Sequence, residues 1–201
     1  MKIIQQALLT FFASMLSACL FASEIDTKKT TSTNKQVAAH PCQSWQQQPL
    51  KALHSNRDVN LCQLTANKSV LVVNTASHCG FTKQFGGLET LHQRYSEQLT
   101  VIGFPSNDFN QEASDSRKIA DVCYKNFGVS FTMTEPVNVT GENAHPLFKQ
   151  LATQSKAPNW NFNKYLIGPD GRLVQHFSSR DTPNSEIVTS AIDQTLLAVQ
   201  P

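Results

Sequence analysis

The chain has 201 residues, enough for one globular domain with an appendage and too few for two full domains. Hydrophobic residues make up 40% and charged residues 16%, with 12 Phe, which excludes disorder of the whole chain. Seventeen Lys and Arg stand against 15 Asp and Glu, a formal charge of +2 with no basic stripe. Nucleic acid is therefore not an expected partner, since phosphate binding needs clustered cations.

Lys2 is followed by an uncharged stretch from Ile3 to Ser23 whose apolar heart is Ala7 to Leu16. A positive start and a short apolar run read as an export signal over residues 1–23. Gln5, Gln6, Thr10, Ser14 and Ser17 make the segment a poor match to the roughly 20 apolar residues of a bilayer span. Leu16-Ser17-Ala18-Cys19 also resembles a bacterial lipobox, in which a lipidated Cys19 tethers the protein to a membrane surface. Ordinary cleavage near Ala22 is the competing reading. Residues 24–40 run through Lys, Thr, Ser, Asn and Gln with almost nothing apolar, and read as a flexible tether. The folded domain is expected over 41–201, in a periplasmic protein that is either free or membrane-anchored.

Export implies an oxidising compartment, so the remaining cysteines matter. Cys42 and Cys62 both precede the first strong strand and close a loop of about twenty residues. A structural disulfide there contributes ~3 kcal/mol by the chain-entropy model, against the alternative of two separate buried thiols.

Ser69 to Asn74 is a short β-branched run suited to a buried strand. Phe85, Leu88, Leu91 and Tyr95 recur every three or four residues, as on one face of a helix. Thr100 to Phe104 is a second strand, ending at Pro105. Ile119, Val122, Cys123 and Phe127 mark the inward face of a helix that starts near Ser114-Asp115. Met133 to Thr140 reads as a strand and Pro146 to Leu151 as a short helix. Tyr165–Ile167, the turn Gly168-Pro-Asp-Gly171 and Leu173–Phe177 form a hairpin. Thr182-Pro183 places a cap and an N1 proline before a last helix carrying Ile187, Ala191, Ile192 and Leu196. This order predicts an α/β domain with one central sheet covered on both faces, without repeats or a second domain.

Chemistry concentrates in Asn74-Thr-Ala-Ser-His-Cys79-Gly-Phe-Thr82, between a strand and a helix. A cysteine there is expected to face the unpaired N–H groups of the helix start, whose partial positive charge favours the nucleophilic thiolate. Gly80 is expected to let the backbone turn tightly beside the sulfur. The bland alternative is an inert buried cysteine.

The segment from Val70 to Thr82 resembles the glutathione peroxidase signature. Gly103-Phe-Pro-Ser-Asn-Asp-Phe-Asn-Gln-Glu112 resembles the second signature of that family, and Ala144–Phe148 and Trp160–Ile167 resemble later ones. The resemblance covers roughly residues 50 to 197 in the family's order. It implies a thioredoxin-like fold with a mixed sheet and the reduction of hydrogen peroxide or organic hydroperoxides, with no cofactor. Cys79 falls where the family places its peroxidatic cysteine or selenocysteine, and Gln111, Trp160 and Asn161 match the groups around that sulfur. Amide and indole N–H groups are donors that stabilise a thiolate and a departing oxygen.

Departures from the family pattern fall in the second signature. The stretch from Phe109 to Gln111 is one residue shorter than usual, and Ser106 and Asp108 replace residues that are often Cys and Gln. His78 occupies a variable position beside the nucleophile.

Asp121 to Phe131 resembles the segment where two-cysteine members carry a resolving cysteine, here Cys123. The implied cycle runs from a Cys79 sulfenic acid to a Cys79–Cys123 disulfide, re-reduced by a thioredoxin-like protein or by glutathione. Alternatively, Cys123 is core filler on its helix. Only residues 154–159 separate the Leu151 helix from Trp160, which resembles the short-loop, monomeric members. Two rivals share the cysteines: a thiol–disulfide oxidoreductase, although Thr82 stands where Cys-x-x-Cys proteins carry their second sulfur, and a non-enzymatic redox sensor or relay. No metal site is expected, because His40, His54, His78, His92, His145 and His176 show no paired ligand spacing.

Overall fold

A computed structural model describes residues 41–198. The expected export signal, the tether and Cys19 lie outside the described residues.

Strand β1 (Ser69–Thr75) is buried along its whole length. Its β-branched residues suit a position with neighbours on both edges and both faces. It pairs in parallel with β2 (Leu99–Pro105) and antiparallel with β4 (Lys164–Ile167). The parallel β3 (Thr132–Met133) and the antiparallel β5 (Leu173–Phe177) complete a mixed sheet in the order β3-β2-β1-β4-β5.

Alternation along β1 divides the core in two. Leu71 and Val73 pack on one face with residues of α2 (Gln84–Arg94), α3 (Ser116–Ala120) and α5 (Glu186–Leu197). Val70 and Val72 pack on the other with α4 (Pro146–Gln154) and with Trp45 and Leu61 from the N-terminal segment. Both faces are thus covered, as the element order implied.

Two elements differ from expectation. The stretch after Met133 leaves the sheet, although it remains hydrogen-bonded. Pro136 has no N–H to donate, and the N–H groups of Val139 and Thr140 go to the Asp108 carboxylate at 2.7 and 2.8 Å. Asp108 also accepts from Asn138 Nδ2 and Thr140 Oγ1. Burial pushes this carboxyl up, but those four hydrogen bonds outweigh it and hold it below the usual carboxylate range.

The last helix starts at Glu186 behind Ser185, and not at Pro183. Thr182 instead opens a turn closed by Ser185 N–H to Thr182 O at 2.9 Å, while Pro183 lies against Gly87 of α2. Ile187 is consequently exposed, and Val188 takes the core position.

Gly103 leaves the space that the Met133 side chain fills. A Cβ there would press on Met133 Sδ, so this flexible side chain would have to move for any larger residue.

Cys42 precedes a 3₁₀ turn (Ser44–Gln47), and Cys62 sits in the short helix α1 (Leu61–Thr65). The two are joined by a disulfide with Cα atoms 5.6 Å apart. The bond ties the segment carrying buried Trp45 to α1. Replacing both cysteines by serine should lower unfolding stability by ~3 kcal/mol in denaturant titrations, as expected for the loop closed. A loss below about 1 kcal/mol would mean that Trp45 packing, and not the cross-link, holds this segment.

Candidate active site

Cys79 lies in the connection from β1 to α2 and is 4% exposed. Its carbonyl accepts the Thr82 N–H at 3.1 Å and the Thr82 hydroxyl at 2.8 Å, which closes the turn. Thr82, the residue that would be cysteine in a Cys-x-x-Cys protein, therefore has a local structural role. The sulfur accepts the Phe81 N–H at 3.5 Å. α2 begins only at Gln84, so a separate turn lies between the helix terminus and Cys79. This corrects the expectation that the helix start itself faces the sulfur. The donor comes from the turn, because the Thr82 contacts end the Cys79 bend before the helix can begin. Gly80 has no positive φ, and a Cβ on it would meet nothing within 4 Å, so the bend does not depend on glycine.

The loop after β2 delivers Gln111 to the same place. His78 N–H donates to Gln111 O at 2.9 Å, which puts the Gln111 backbone one residue from Cys79. Glu112 adds a second link: its Oε1 accepts the N–H groups of Ser77 and Ala113, each at 2.9 Å. The short stretch before Gln111 turns through Asn110, whose φ of 54° is a left-handed conformation that asparagine tolerates.

Glu112 is 9% exposed, and its Oε2 has no hydrogen-bond partner. Burial raises its pKa, and the hydrogen bonds from Ser77 and Ala113 and the nearby His78 only partly offset this. Sequence reasoning assigned no role to Glu112. An acidic residue next to Gln111 in a polar loop carries no burial signal of its own.

Trp160 and Asn161 arrive from the connection between α4 and β4. Asn161 is fully buried and donates its Nδ2 to Gln111 Oε1 at 3.0 Å. Trp160 is 40% exposed and its ring packs on Phe109 at 5.5 Å between centroids, so it is no ordinary core aromatic. The Trp160 carbonyl accepts from Asn74 Nδ2 at 3.0 Å and Asn163 Nδ2 at 2.9 Å. Phe162 is left-handed, with φ 61°, and its N–H donates to Asn74 O at 2.6 Å. Buried Lys164 extends Nζ to Phe162 O at 2.7 Å and Ser178 O at 3.3 Å. Burial pulls its pKa down to about 7, with a small opposing pull from Asp181.

The site thus joins three loops: Gln111 meets Asn161 through side chains and the Cys79 segment through its backbone. Among the described residues, no side chain of Gln111, Trp160 or Asn161 hydrogen-bonds to the Cys79 sulfur directly. A family model described as glutathione peroxidase matches residues 49–152.

The chain belongs to the glutathione peroxidase family.

A glutathione peroxidase of Lactococcus lactis subsp. cremoris is 45% identical over 123 residues, covering 58% of this chain and 78% of the relative. A glutathione peroxidase-like peroxiredoxin of Chlamydomonas reinhardtii is 46% identical over 125 residues, covering 59% and 77%. Among solved structures, the chain is similar to the apo form of Trgpx, with a TM-score of 0.60 and 31% identity over 80% of this chain and 99% of that one. A thioredoxin-like protein in its oxidised form is 15% identical, with a TM-score of 0.56 over 79% of this chain and 100% of that one. The fold is thioredoxin-like.

Within this family frame, Cys123 sits in a π-helical turn (Asp121–Asn126) that continues α3. π turns disrupt the regular helical ladder and often mark functional positions. Cys123 and Cys79 are both free thiols packed in the same core cluster. Cys123 is 1% exposed, and burial, with Glu112 adding to it, pushes its thiol up to about 12. His78 is exposed. No group of three His, Cys, Asp or Glu among the described residues is arranged to hold a metal ion.

Cys123 should accordingly be a poor nucleophile in the resting fold. At about pH 8, iodoacetamide should modify it at least a hundredfold more slowly in native protein than in denaturant, as read by peptide mapping. Equal rates would show that the π turn opens readily without oxidation.

Proposed function

We propose that the protein is an exported thiol peroxidase that reduces hydrogen peroxide or organic hydroperoxides at Cys79, with Cys123 as the resolving cysteine. The Cys79 thiolate attacks the terminal peroxide oxygen, and the O–O bond breaks. The sulfur becomes a sulfenic acid, and the departing oxygen takes up a proton to leave as water or an alcohol. Cys123 then condenses with the sulfenic acid, forming a disulfide and releasing water. A thioredoxin-like dithiol exchanges with that disulfide, returns both thiols and is itself oxidised.

The observation that carries this reading is the junction at Gln111, whose side chain is bonded to Asn161 and whose backbone is bonded to the residue beside Cys79. With Asn161 Nδ2 donating to Gln111 Oε1, the Gln111 amide keeps its own N–H groups available for a peroxide oxygen. Cys123 is suited to resolution because a buried, protonated thiol is spared from direct oxidation until its partner reacts. The Cys42–Cys62 disulfide is at home in an oxidising compartment, which supports export to the periplasm; Cys19 lipidation would anchor the protein there. The short 154–159 connection supports a monomer.

Cys79→Ser should lose peroxide consumption by at least about a thousandfold while keeping the wild-type melting temperature, because a hydroxyl is not ionised near neutral pH. Substantial residual turnover in that variant would move the chemistry elsewhere.

Cys123→Ser should consume the first equivalent of peroxide, stall with thioredoxin, and accumulate sulfinic acid under excess oxidant. Unchanged thioredoxin-linked turnover would rule out the resolving role and make glutathione or another small thiol the reductant.

A further inference from the structure

Behind the Trp160–Asn161 pair lies a set of polar side chains, buried at Asn163 and Ser179 and half-buried at His176, that the peroxidase reading does not use. Asn163 is 1% exposed and Ser179 is buried. Asn163 Nδ2 donates to Trp160 O at 2.9 Å and to Ser179 Oγ at 3.1 Å. Ser179 Oγ in turn donates to Asn161 O at 2.6 Å. His176 Nε2 lies 2.8 Å from Asn163 Oδ1, and its Nδ1 lies 3.2 Å from Ser155 Oγ. The His176 ring stacks on Tyr165, with centroids 4.2 Å apart and planes inclined by 12°.

We propose that Asn163, Ser179 and His176 are positioning residues of the peroxidatic site, a directional hydrogen-bond relay that fixes the Trp160 and Asn161 carbonyls and so orients the indole and the amide that serve Cys79. The relay rests on the reading of Cys79 as the peroxidatic cysteine.

Its direction follows from donor counting. The two Asn163 amide hydrogens are both committed, to Trp160 O and to Ser179 Oγ, so Asn163 Oδ1 can only accept. His176 Nε2 must then carry a hydrogen, leaving Nδ1 of the neutral ring to accept from the Ser155 hydroxyl. Burial lowers the His176 pKa, Lys156 lowers it further, and Asp181 opposes both. Protonation would add a hydrogen at Nδ1, and the Ser155 hydroxyl can rotate to accept it. The bond to Asn163 keeps its direction in both states. Ser179 accepts from Asn163 and donates onward, so neither committed oxygen is left to compete for the amides in the site.

The relay also removes a source of freedom. Trp160 to Asn163 is an irregular connection containing a left-handed Phe162, and before Lys164 its backbone is tied to β1 through Asn74, by Phe162 N–H to Asn74 O, Asn74 N–H to Asn163 O and Asn163 N–H to Asn74 Oδ1. Without Asn163 and Ser179, the Trp160 carbonyl would keep only Asn74 and the Asn161 carbonyl would lose its side-chain donor. A small displacement of positioning groups costs far more rate than stability, up to about a hundredfold for 1 Å.

The test compares Ser179→Ala, His176→Phe and His176→Gln in the full chain. Three quantities are measured for each: single-turnover oxidation of Cys79 by hydrogen peroxide, alkylation of Cys79 by iodoacetamide, and thermal unfolding. Ser179→Ala and His176→Phe should slow the peroxide step about tenfold, with alkylation within about twofold of wild type. His176→Gln, which keeps an N–H near the Nε2 position, should recover most of the rate. The double variant should be no slower than the slower single one, because both break one relay. Peroxide rates within about twofold of wild type in both Ser179→Ala and His176→Phe would overturn the proposal. So would peroxide and alkylation rates that fall together, since that reports general damage to the Cys79 turn. If His176→Phe does not fold, Ser179→Ala alone decides, being a one-atom deletion. Failure of the peroxidase reading is a separate result: wild type would consume no peroxide, or Cys79→Ser would match it, and the relay would fall with it.

Discussion

The site depends on what happens at Asn74, the penultimate residue of β1. Its side chain accepts the Asn163 N–H at 3.1 Å and donates to Trp160 O, while its backbone carbonyl accepts the Phe162 N–H. Next to it, the Thr75 carbonyl accepts the Ser106 N–H at 3.0 Å, where β2 gives way to the loop carrying Gln111. One strand end therefore holds the Trp160–Asn161 connection on one side and the Gln111 loop on the other. Its own continuation carries Cys79. A parallel neighbour delivers its outgoing loop to this end of the sheet, and an antiparallel neighbour delivers its incoming one. The mixed sheet is what makes the three-loop junction possible.

Polar burial around this junction is extensive, and most of it is satisfied. Asn74, Asn161, Asn163, Lys164 and Ser179 are all buried in a region where an unpaired donor or acceptor costs on the order of 1–3 kcal/mol. Nearly every polar group there has a named partner, which makes the network rigid as well as tolerable. Among the described residues the buried side-chain atoms without a partner include four at this junction, Thr75 Oγ1, Ser77 Oγ, Glu112 Oε2 and Asn161 Oδ1, and four others, on Ser69, Gln84, His92 and His145.

The two thiols share one core cluster but meet different backbones. Cys79 sits in a turn closed by Thr82, which can present a sulfur without disturbing the sheet or α2. Cys123 sits in a π-helical turn followed by Gly128 at φ 64°, with Val129 N–H returning to Cys123 O at 3.1 Å. Such a segment has a less regular hydrogen-bond ladder than an α-helix, so rearranging it breaks fewer cooperative contacts. Rigid surroundings for the first sulfur and a looser turn for the second match a cycle in which only the second must move.

Local sequence signals were sufficient wherever the cause of a structure is itself local. The β-branched run of β1, the spacing of Phe85, Leu88 and Leu91, and the Gly168–Gly171 hairpin all depend on residues a few positions apart. Cys79, Gln111, Trp160 and Asn161 were singled out as candidates by the motifs around them, and the Cys42–Cys62 bond by its spacing and an expected oxidising compartment. Other features were settled by partners far away in the chain. Asp108 draws the N–H groups of residues 139 and 140 out of a strand that their own sequence favours. Pro183 packs on Gly87 and delays α5 to Glu186. Glu112, Lys164 and His176 look like surface residues in sequence, because charge and polarity say nothing about burial until a fold supplies partners. The alternation of elements, the family and Cys79 as the candidate nucleophile are legible along the chain; which polar groups are buried and bonded together emerges only in the fold, because hydrogen-bond satisfaction is a property of pairs that the chain order does not bring together.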